Sequence, residues 1–157
     1  MNAPIKRTAP FISYSKEHHF GLLLIWKIRQ GIEKEISADR IANYILYFFE
    51  ADLSHHFKDE ERFLFTLLPT ENLLRQRAEI EHNKIFNIIT CIHLDKTNET
   101  LIIEFADTLE KHIRFEERVL FTELQNIVPE IIIASIEDRI TRNSEVINAK
   151  WDDSFWK

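Results

Sequence analysis

Four segments of this chain carry histidine and glutamate in combinations suited to holding a cation: Glu17-His18-His19, His56 with Glu60-Glu61, Glu81-His82, and His112 with Glu116-Glu117. A glutamate four residues after a histidine, as in His56/Glu60 and His112/Glu116, puts both side chains on one helical face, aimed at one point. Neutral imidazole and ionised carboxylate suit iron, manganese or zinc, and a ligand set without thiolate favours non-haem iron over a structural zinc site. A single such pair is more often a surface contact worth roughly 0.3–0.5 kcal/mol. Here the pattern recurs. Residues 56–68 (HFKDEERFLFTLL) and 112–124 (HIRFEERVLFTEL) agree at eight of thirteen positions, and a Glu-His pair precedes each copy, so the chain reads as two hairpins with parallel polar content.

The elements that must position these residues follow from apolar periodicity. The spacing predicts a first helix from Ser15 to about Glu35, a second from an N-cap at Ser37 to the stop at Pro69, and a third from an N-cap at Thr70 to Leu94. A fourth begins after the link 95–98 and is closed by Pro129. Short links make such helices neighbours, so the expected fold is all-α: an up-and-down antiparallel four-helix bundle in one domain, 1–157, with its core at about 13–127. Residues 130–147 are expected to add a short C-terminal helix with Pro129 at its first position. The ends, including the aromatic tail Trp151, Phe155 and Trp156, are expected to fold over the bundle.

On this frame the polar residues fall on core stripes: Phe49, Leu53, His56, Glu60, Phe63 and Leu67 in the second helix, and Phe105, Leu109, His112, Glu116, Val119 and Leu124 in the fourth. His82 lines up with Ala78 and Ile85. In the first helix either His18 or His19 can face inward, since both lead into Leu22 and Trp26. An unpaired buried carboxylate costs several kcal/mol, and a buried imidazole needs partners for both nitrogens. A pair of bound cations meets that demand, with four imidazoles and two carboxylates as ligands. His55 and His93 are set aside on helical phase and distance, Glu61 and Glu117 are expected outside the ligand set, and Cys91 is expected to be a small buried apolar residue.

Composition narrows the remaining classes. In 157 residues, 45% are hydrophobic and 29% charged, with two Gly and four Pro, which excludes a disordered or loop-dominated chain. The apolar runs Leu22 to Trp26 and Ile131 to Ala134 are far shorter than the roughly 20 residues that span a bilayer, so no membrane association is expected. The formal charge of −6, with acids and bases interleaved, means that no basic patch of the kind nucleic acid needs is expected. A start without a secretory-leader pattern and a lone Cys91 make a reducing cytoplasm the expected compartment.

Taken together, Glu17-His18-His19, HFxxEE at His56–Glu61, Glu81-His82 and HxxxEE at His112–Glu117 resemble the hemerythrin-like family, the HHE cation-binding domain, over about residues 13–127. The resemblance implies a non-haem di-iron centre of two iron ions, bridged by carboxylates and an oxo or hydroxo group, other divalent metals being possible. It implies His18 or His19, His56, Glu60, His82, His112 and Glu116 as ligands, with Glu60 and Glu116 bridging. Oxygen-carrying members have a histidine four residues after the one matched by His82, where this chain has Phe86, and place the last carboxylate where this chain has Glu117; other relatives use the spacing that selects Glu116. The departure at Phe86 shifts the implied role from oxygen carriage towards sensing, storage or protection involving oxygen, peroxide or nitric oxide. The alternative is a peroxidase- or oxidase-like enzyme, with Glu61, Glu81 and Glu117 as proton donors and a protein redox partner. A metal-free interaction module using the tail aromatics is a third reading.

Overall fold

A computed structural model of the chain describes residues 11–136, 147 and 149–157. The fold is an all-α bundle of long helical rods, and no strand occurs among the described residues. The first rod is α1 (Phe11–Glu33). The second runs unbroken through α2 (Ala38–Phe48), a π-helical turn (Phe49–Leu53), α3 (Ser54–Asp59), a second π-turn (Glu60–Leu64) and a 3-10 turn (Phe65–Leu67). The third is α4 (Leu73–Leu94). The fourth joins α5 (Glu99–Phe115), a π-turn (Glu116–Leu120) and α6 (Phe121–Ile127), and the short α7 (Glu130–Ala134) follows. The α5 helix packs against α1 and α4, and α2 touches α1, α4 and α5, so the rods enclose a common interior. Among the described residues no helix is long and apolar enough to cross a membrane.

The rods end where local chemistry requires it. After α1, Ile36 N–H bonds to the Gly31 carbonyl at 2.9 Å and Glu35 N–H to that of Ile32 at 3.0 Å, which is a Schellman closure. It forces Glu35 to φ 56°, a left-handed conformation that usually falls to glycine. Ser37 stands at the start of α2 as expected, but its side chain makes no capping bond. The expected cap at Thr70 moves to Asn72, whose Oδ1 accepts from Leu74 N–H at 2.9 Å and Arg75 N–H at 3.1 Å. The Thr70 hydroxyl turns instead to the Glu71 carboxylate at 3.1 Å. Asn98 caps α5 through Leu101 N–H at 3.3 Å. Pro129 precedes α7 rather than opening it, and residues 1–10 and 137–146 of the expected ends lie outside the described residues.

Beyond Glu60 and Glu116 the expected stripes slip by one residue. Leu64 and Leu120 are fully buried where Phe63 and Val119 were expected, and Val119 is 40% exposed. Each slip coincides with a π-turn, whose wider i→i+5 spacing adds a residue to the rod and rotates the residues just after it, while Leu124 further on is buried as expected.

The apolar core is in two parts. One holds Leu24, Ile28, Tyr44, Phe57, Ile85, Leu109 and Ile113, the other Phe11, Tyr14, Leu64, Ala78, Phe115 and Phe121. His18 and His82 lie in sequence between the two parts, and in the second and fourth rods His56, Glu60, His112 and Glu116 fall where one part gives way to the other, so the polar layer sits at the junction of the two. The tail closes over the far end of the first part. Phe155 is 3% exposed, and a Cβ on Gly31 would sit 2.9 Å from its ring. Arg40 holds Asp153 through two bonds of 3.0 and 2.7 Å, and Lys27 lies 4.0 Å over the Trp156 ring. The tail aromatics therefore pack on this chain's own bundle, Phe155 buried and Trp151 and Trp156 half-buried.

Two stability outcomes follow. Asn72→Ala should lower the unfolding free energy by about 1 kcal/mol while Thr70→Ala changes it little, and Glu35→Gly should raise it by about 1 kcal/mol by removing the left-handed penalty. Urea midpoints of the three variants check both.

Candidate metal centre

The polar layer is assembled from all four rods. His18 comes from α1, His56 from α3, His82 from α4 and His112 from α5, and Glu60 and Glu116 each open a π-turn. His18 and His56 are 4% and 5% exposed, and the other four side chains are fully buried. Gly21, one turn after His18, lets α1 approach α5, since a Cβ there would meet Ile113 Cδ1 at 2.9 Å.

The imidazoles point one nitrogen at each other's carboxylates. Nε2 of His56 is 3.0 Å from Glu60 Oε1, and Nε2 of His82 is 3.6 Å from both Glu60 Oε1 and Glu116 Oε1. His112 Nε2 is in contact with Glu116 Oε1, and His18 Nε2 is 3.9 Å from Glu116 Oε2. Despite this proximity none of these atoms has a well-aligned hydrogen bond: the Nε2 atoms of His18, His56, His82 and His112 and both oxygens of Glu60 and Glu116 are buried without a hydrogen-bond partner. Two groups of converging ligand atoms result, Glu60/His82/His112/Glu116 and His18/His56/Glu60, each within 4.8 Å. Leaving so many buried polar atoms unsatisfied would cost several kcal/mol apiece for the charged ones. Lone pairs converging from nitrogen and oxygen are what a cation requires, so the residues present fit a metal.

The other nitrogen of every imidazole is claimed by a further glutamate. Nδ1–H of His56 donates to Glu17, that of His112 to Glu81 at 2.8 Å, that of His82 to Glu61 at 2.9 Å and that of His18 to Glu117 at 2.8 Å. Because an ionised carboxylate only accepts, these bonds fix the hydrogen on Nδ1 and leave the Nε2 lone pair facing the centre. The pattern has the two-fold logic of the sequence repeat. Glu17 and Glu81 serve the histidine of their own half, and Glu61 and Glu117 reach across to the opposite half. Sequence reasoning placed Glu61 and Glu117 outside the ligand set but gave Glu17 no role. The available signal was position: each of the four glutamates is the immediate neighbour of a ligand-type residue.

Without a metal the centre holds protons. Burial opposes the charging of His56, but Glu60 and Glu17 outweigh it and push its pKa up to about 10. Burial also works to raise Glu60, yet His56 and His82 hold it well below the usual carboxylate range. His82 is raised as well, burial again being outweighed, here by Glu60 and Glu61. Burial wins at His112, which falls to about 4 despite the bond to Glu81.

The remaining expected residues sort by helix phase. His19 is exposed and packs edge-on against Phe20 at 5.6 Å, on the outward face it shares with Trp26, which is 50% exposed. Of the alternatives on the first helix, the structure therefore brings His18 to the centre and leaves His19 outside. Glu116 is likewise inside, with Glu117 outside it. His55 is exposed as its helical phase predicts, His93 is exposed although its spacing set it on the face of His82, and Cys91 is exposed rather than buried, because it lies on the outer face of α4. Aromatic rings wall the centre: Phe57 stacks on His82 at 4.1 Å, Phe121 on His18 at 5.6 Å, and Tyr14 meets His56 edge-on at 5.5 Å. Phe86 belongs to this wall, T-shaped to Phe49 at 5.2 Å, where a fifth imidazole would otherwise stand.

Fold and centre together define a helical-bundle protein built to bind cations. Residues 16–124 match the family model of the hemerythrin HHE cation binding domain, and the chain belongs to that family. No curated protein and no solved structure matches the chain.

The proton at His56 gives the centre a pH signature. With its pKa raised, His56 contributes stability to the metal-free fold that is fully present below about pH 6.5 and lost as pH rises through about 10. His112, with its pKa lowered, contributes stability present above about 6.5 and lost as pH falls through about 4. Metal uptake at pH 8 should release about one proton from His56, measurable with an indicator dye; uptake without release would contradict the charged state assigned to that residue.

Proposed function

We propose that this chain holds a non-haem di-iron centre that meets oxygen, peroxide or nitric oxide in sensing, storage or protection. His18 and His56 would serve one iron, His82 and His112 the other, and Glu60 and Glu116 both. The observation that carries this reading is the set of buried, unpartnered Nε2 and carboxylate atoms in two groups that share Glu60. The approaches of Glu116 Oε1 to His82 and His112, and of its Oε2 to His18, support a second shared carboxylate.

When bound, iron would supply reversible one-electron chemistry and coordination positions for a small ligand. The chain's own residues do the rest. Glu17, Glu61, Glu81 and Glu117 orient the imidazoles and increase their basicity. Phe57 and Phe121 stack on the imidazoles of His82 and His18, and Phe86 packs on Phe57 behind them, so the inner atoms are walled by apolar rings. Two imidazoles for each metal, with no histidine at Phe86, leave coordination to be completed from outside the protein. The enzymatic reading, a peroxidase- or oxidase-like activity fed by a protein redox partner, draws on one feature: Glu61, with its side chain 42% exposed, joins His82 to solvent.

Anaerobic iron loading followed by air exposure tests the proposal, with iron counted per chain and near-ultraviolet absorption recorded. Two irons per chain are expected, and His56→Ala, Glu60→Ala and His82→Ala should each lower the count. Glu17→Gln and Glu81→Gln should weaken binding by about 10–100-fold. Full occupancy in all three alanine variants would overturn the assignment.

A further inference from the structure

The interleaved charges give no expectation of a basic patch, yet basic residues dispersed in the sequence meet on one face of the bundle, because helix spacing and the packing of two rods bring them together. Lys111, Arg114 and Arg118 follow one another at helical spacing along the fourth rod, and Arg77 joins them from α4. The four line an open cleft of about 310 Å³ with Phe115 and Val119, and no carboxylate among the described residues lines it. On a chain with a formal charge of −6 this is a local excess of positive charge. Like charges at such spacings repel by a few tenths of a kcal/mol per pair, roughly, so the grouping favours a counter-anion.

The charges are also poorly neutralised by the protein. Arg114 reaches Glu110 only at 3.6 Å, and that carboxylate is already held by Arg29 at 3.0 Å. Arg77 is pinned rather than cancelled. Its guanidinium lies 4.0 Å over the Phe115 ring, and its Nε–H donates to Glu81 Oε2 at 2.9 Å, an arrangement that pre-organises the planar fork beside the cleft. Glu81 accepts from His112 Nδ1 through its other oxygen. A continuous chain of contacts thus leads from the cleft through Arg77 and Glu81 to an imidazole of the centre. Only part of this follows from the repeat: with His56 set against His112, Lys58 and Arg62 match Arg114 and Arg118, but His55 and Asp59 stand where the second half has Lys111 and Phe115, and with Glu17 set against Glu81, Ser13 stands where it has Arg77.

We propose that this cleft binds a small phosphate-bearing anion and that its occupancy is sensed at the His112 side of the centre. An anion of two or more charges engages Lys111 and Arg118 and competes with Glu81 for Arg77. Glu81 then bonds to His112 with less of its charge compensated, which makes Nε2 a stronger donor. By linkage, cation binding at the centre and anion binding in the cleft favour each other. The coupling rests on the metal reading given above, whereas the binding of the anion does not.

Inorganic pyrophosphate is the probe, titrated at constant ionic strength into the metal-free and iron-loaded full chain and followed by amide chemical shifts. One-to-one binding is expected, with shifts centred on Arg77, Lys111 and Arg118. Lys111→Ser/Arg118→Ser should weaken it by about tenfold or more with helicity and iron content unchanged. Equal affinity of this double variant and the parent chain would overturn the site. So would binding to vesicles of phosphatidylglycerol and phosphatidylcholine in the absence of pyrophosphate binding, which would identify a lipid surface instead. Iron affinity, read at free-iron levels fixed by an iron buffer so that iron complexed by pyrophosphate itself is not counted, should rise when pyrophosphate is present, and Arg77→Gln should abolish that rise; an unchanged iron affinity in the parent chain would overturn the coupling and leave the anion site standing. If no iron loads at all, the metal reading fails while the metal-free titration still decides the cleft.

Discussion

Each imidazole at the middle of this bundle has two nitrogens, and the fold commits them to opposite partners. Nδ1 faces outward to a glutamate, and Nε2 faces inward to a point where no hydrogen-bond donor or acceptor is aligned with it. That division governs the whole structure. Four buried imidazoles and two buried carboxylates would be among the most costly groups a small core could contain, unless their lone pairs converge on positive charge. In the metal-free chain part of that charge is a proton on His56, held by Glu60 and Glu17. The layer is therefore a site before it is a structural element. It separates two apolar clusters that must each be packed well enough to offset its cost.

The backbone is adapted to this layer. Both inward carboxylates, Glu60 and Glu116, open a π-turn, and in each case the extra residue rotates the following stretch so that Leu64 and Leu120 turn inward. The same widening lets consecutive glutamates serve different ends: Glu60 and Glu116 face the centre, while Glu61 and Glu117 reach the Nδ1 atoms of His82 and His18 in the opposite half. The crossed bonds tie the two halves through their histidines. A disturbance at one histidine is thereby passed to the glutamate pair of the other half, which is the physical basis for treating the centre as one unit. Away from the centre the tail acts only by packing. Phe155, Trp151 and Trp156 cover the end of the bundle where Gly31 leaves room for an aromatic ring.

Much of this was legible in the residues themselves, and the reasons are local. Amphipathic periodicity depends on helix geometry alone, so the rods were readable to within a few residues, as were the histidines and glutamates that fall on their inner stripes. The duplicated HxxxEE segment marked the layer as deliberate, because a chance buried charge has no reason to recur at the matching place. Expectation and structure part where a choice depends on a few degrees of rotation or on a neighbour distant in sequence. The spacing to Trp26 allows either His18 or His19 to face inward, yet Trp26 lies exposed with His19, since α1 turns Leu24, Ile25 and Ile28 to the core. A regular α-helix would carry Phe63 and Val119 inward, and the π-turns rotate them away. Cys91 has the residue type of a core position and the helix phase of an outer one, and phase prevails.

The amino-acid sequence by itself determined that the fold is helical, that two halves repeat, and that imidazole and carboxylate share the interior, because spacing and residue type act within a single helix turn. Which histidine of the first pair enters, which glutamate answers which imidazole, and how Arg77 meets Lys111 and Arg118 were decided only in the tertiary structure. These are relations between different rods. They depend on the relative rotation and depth of neighbouring helices, set by contacts such as Gly21 against Ile113 and by the π-turns, to which no linear pattern refers.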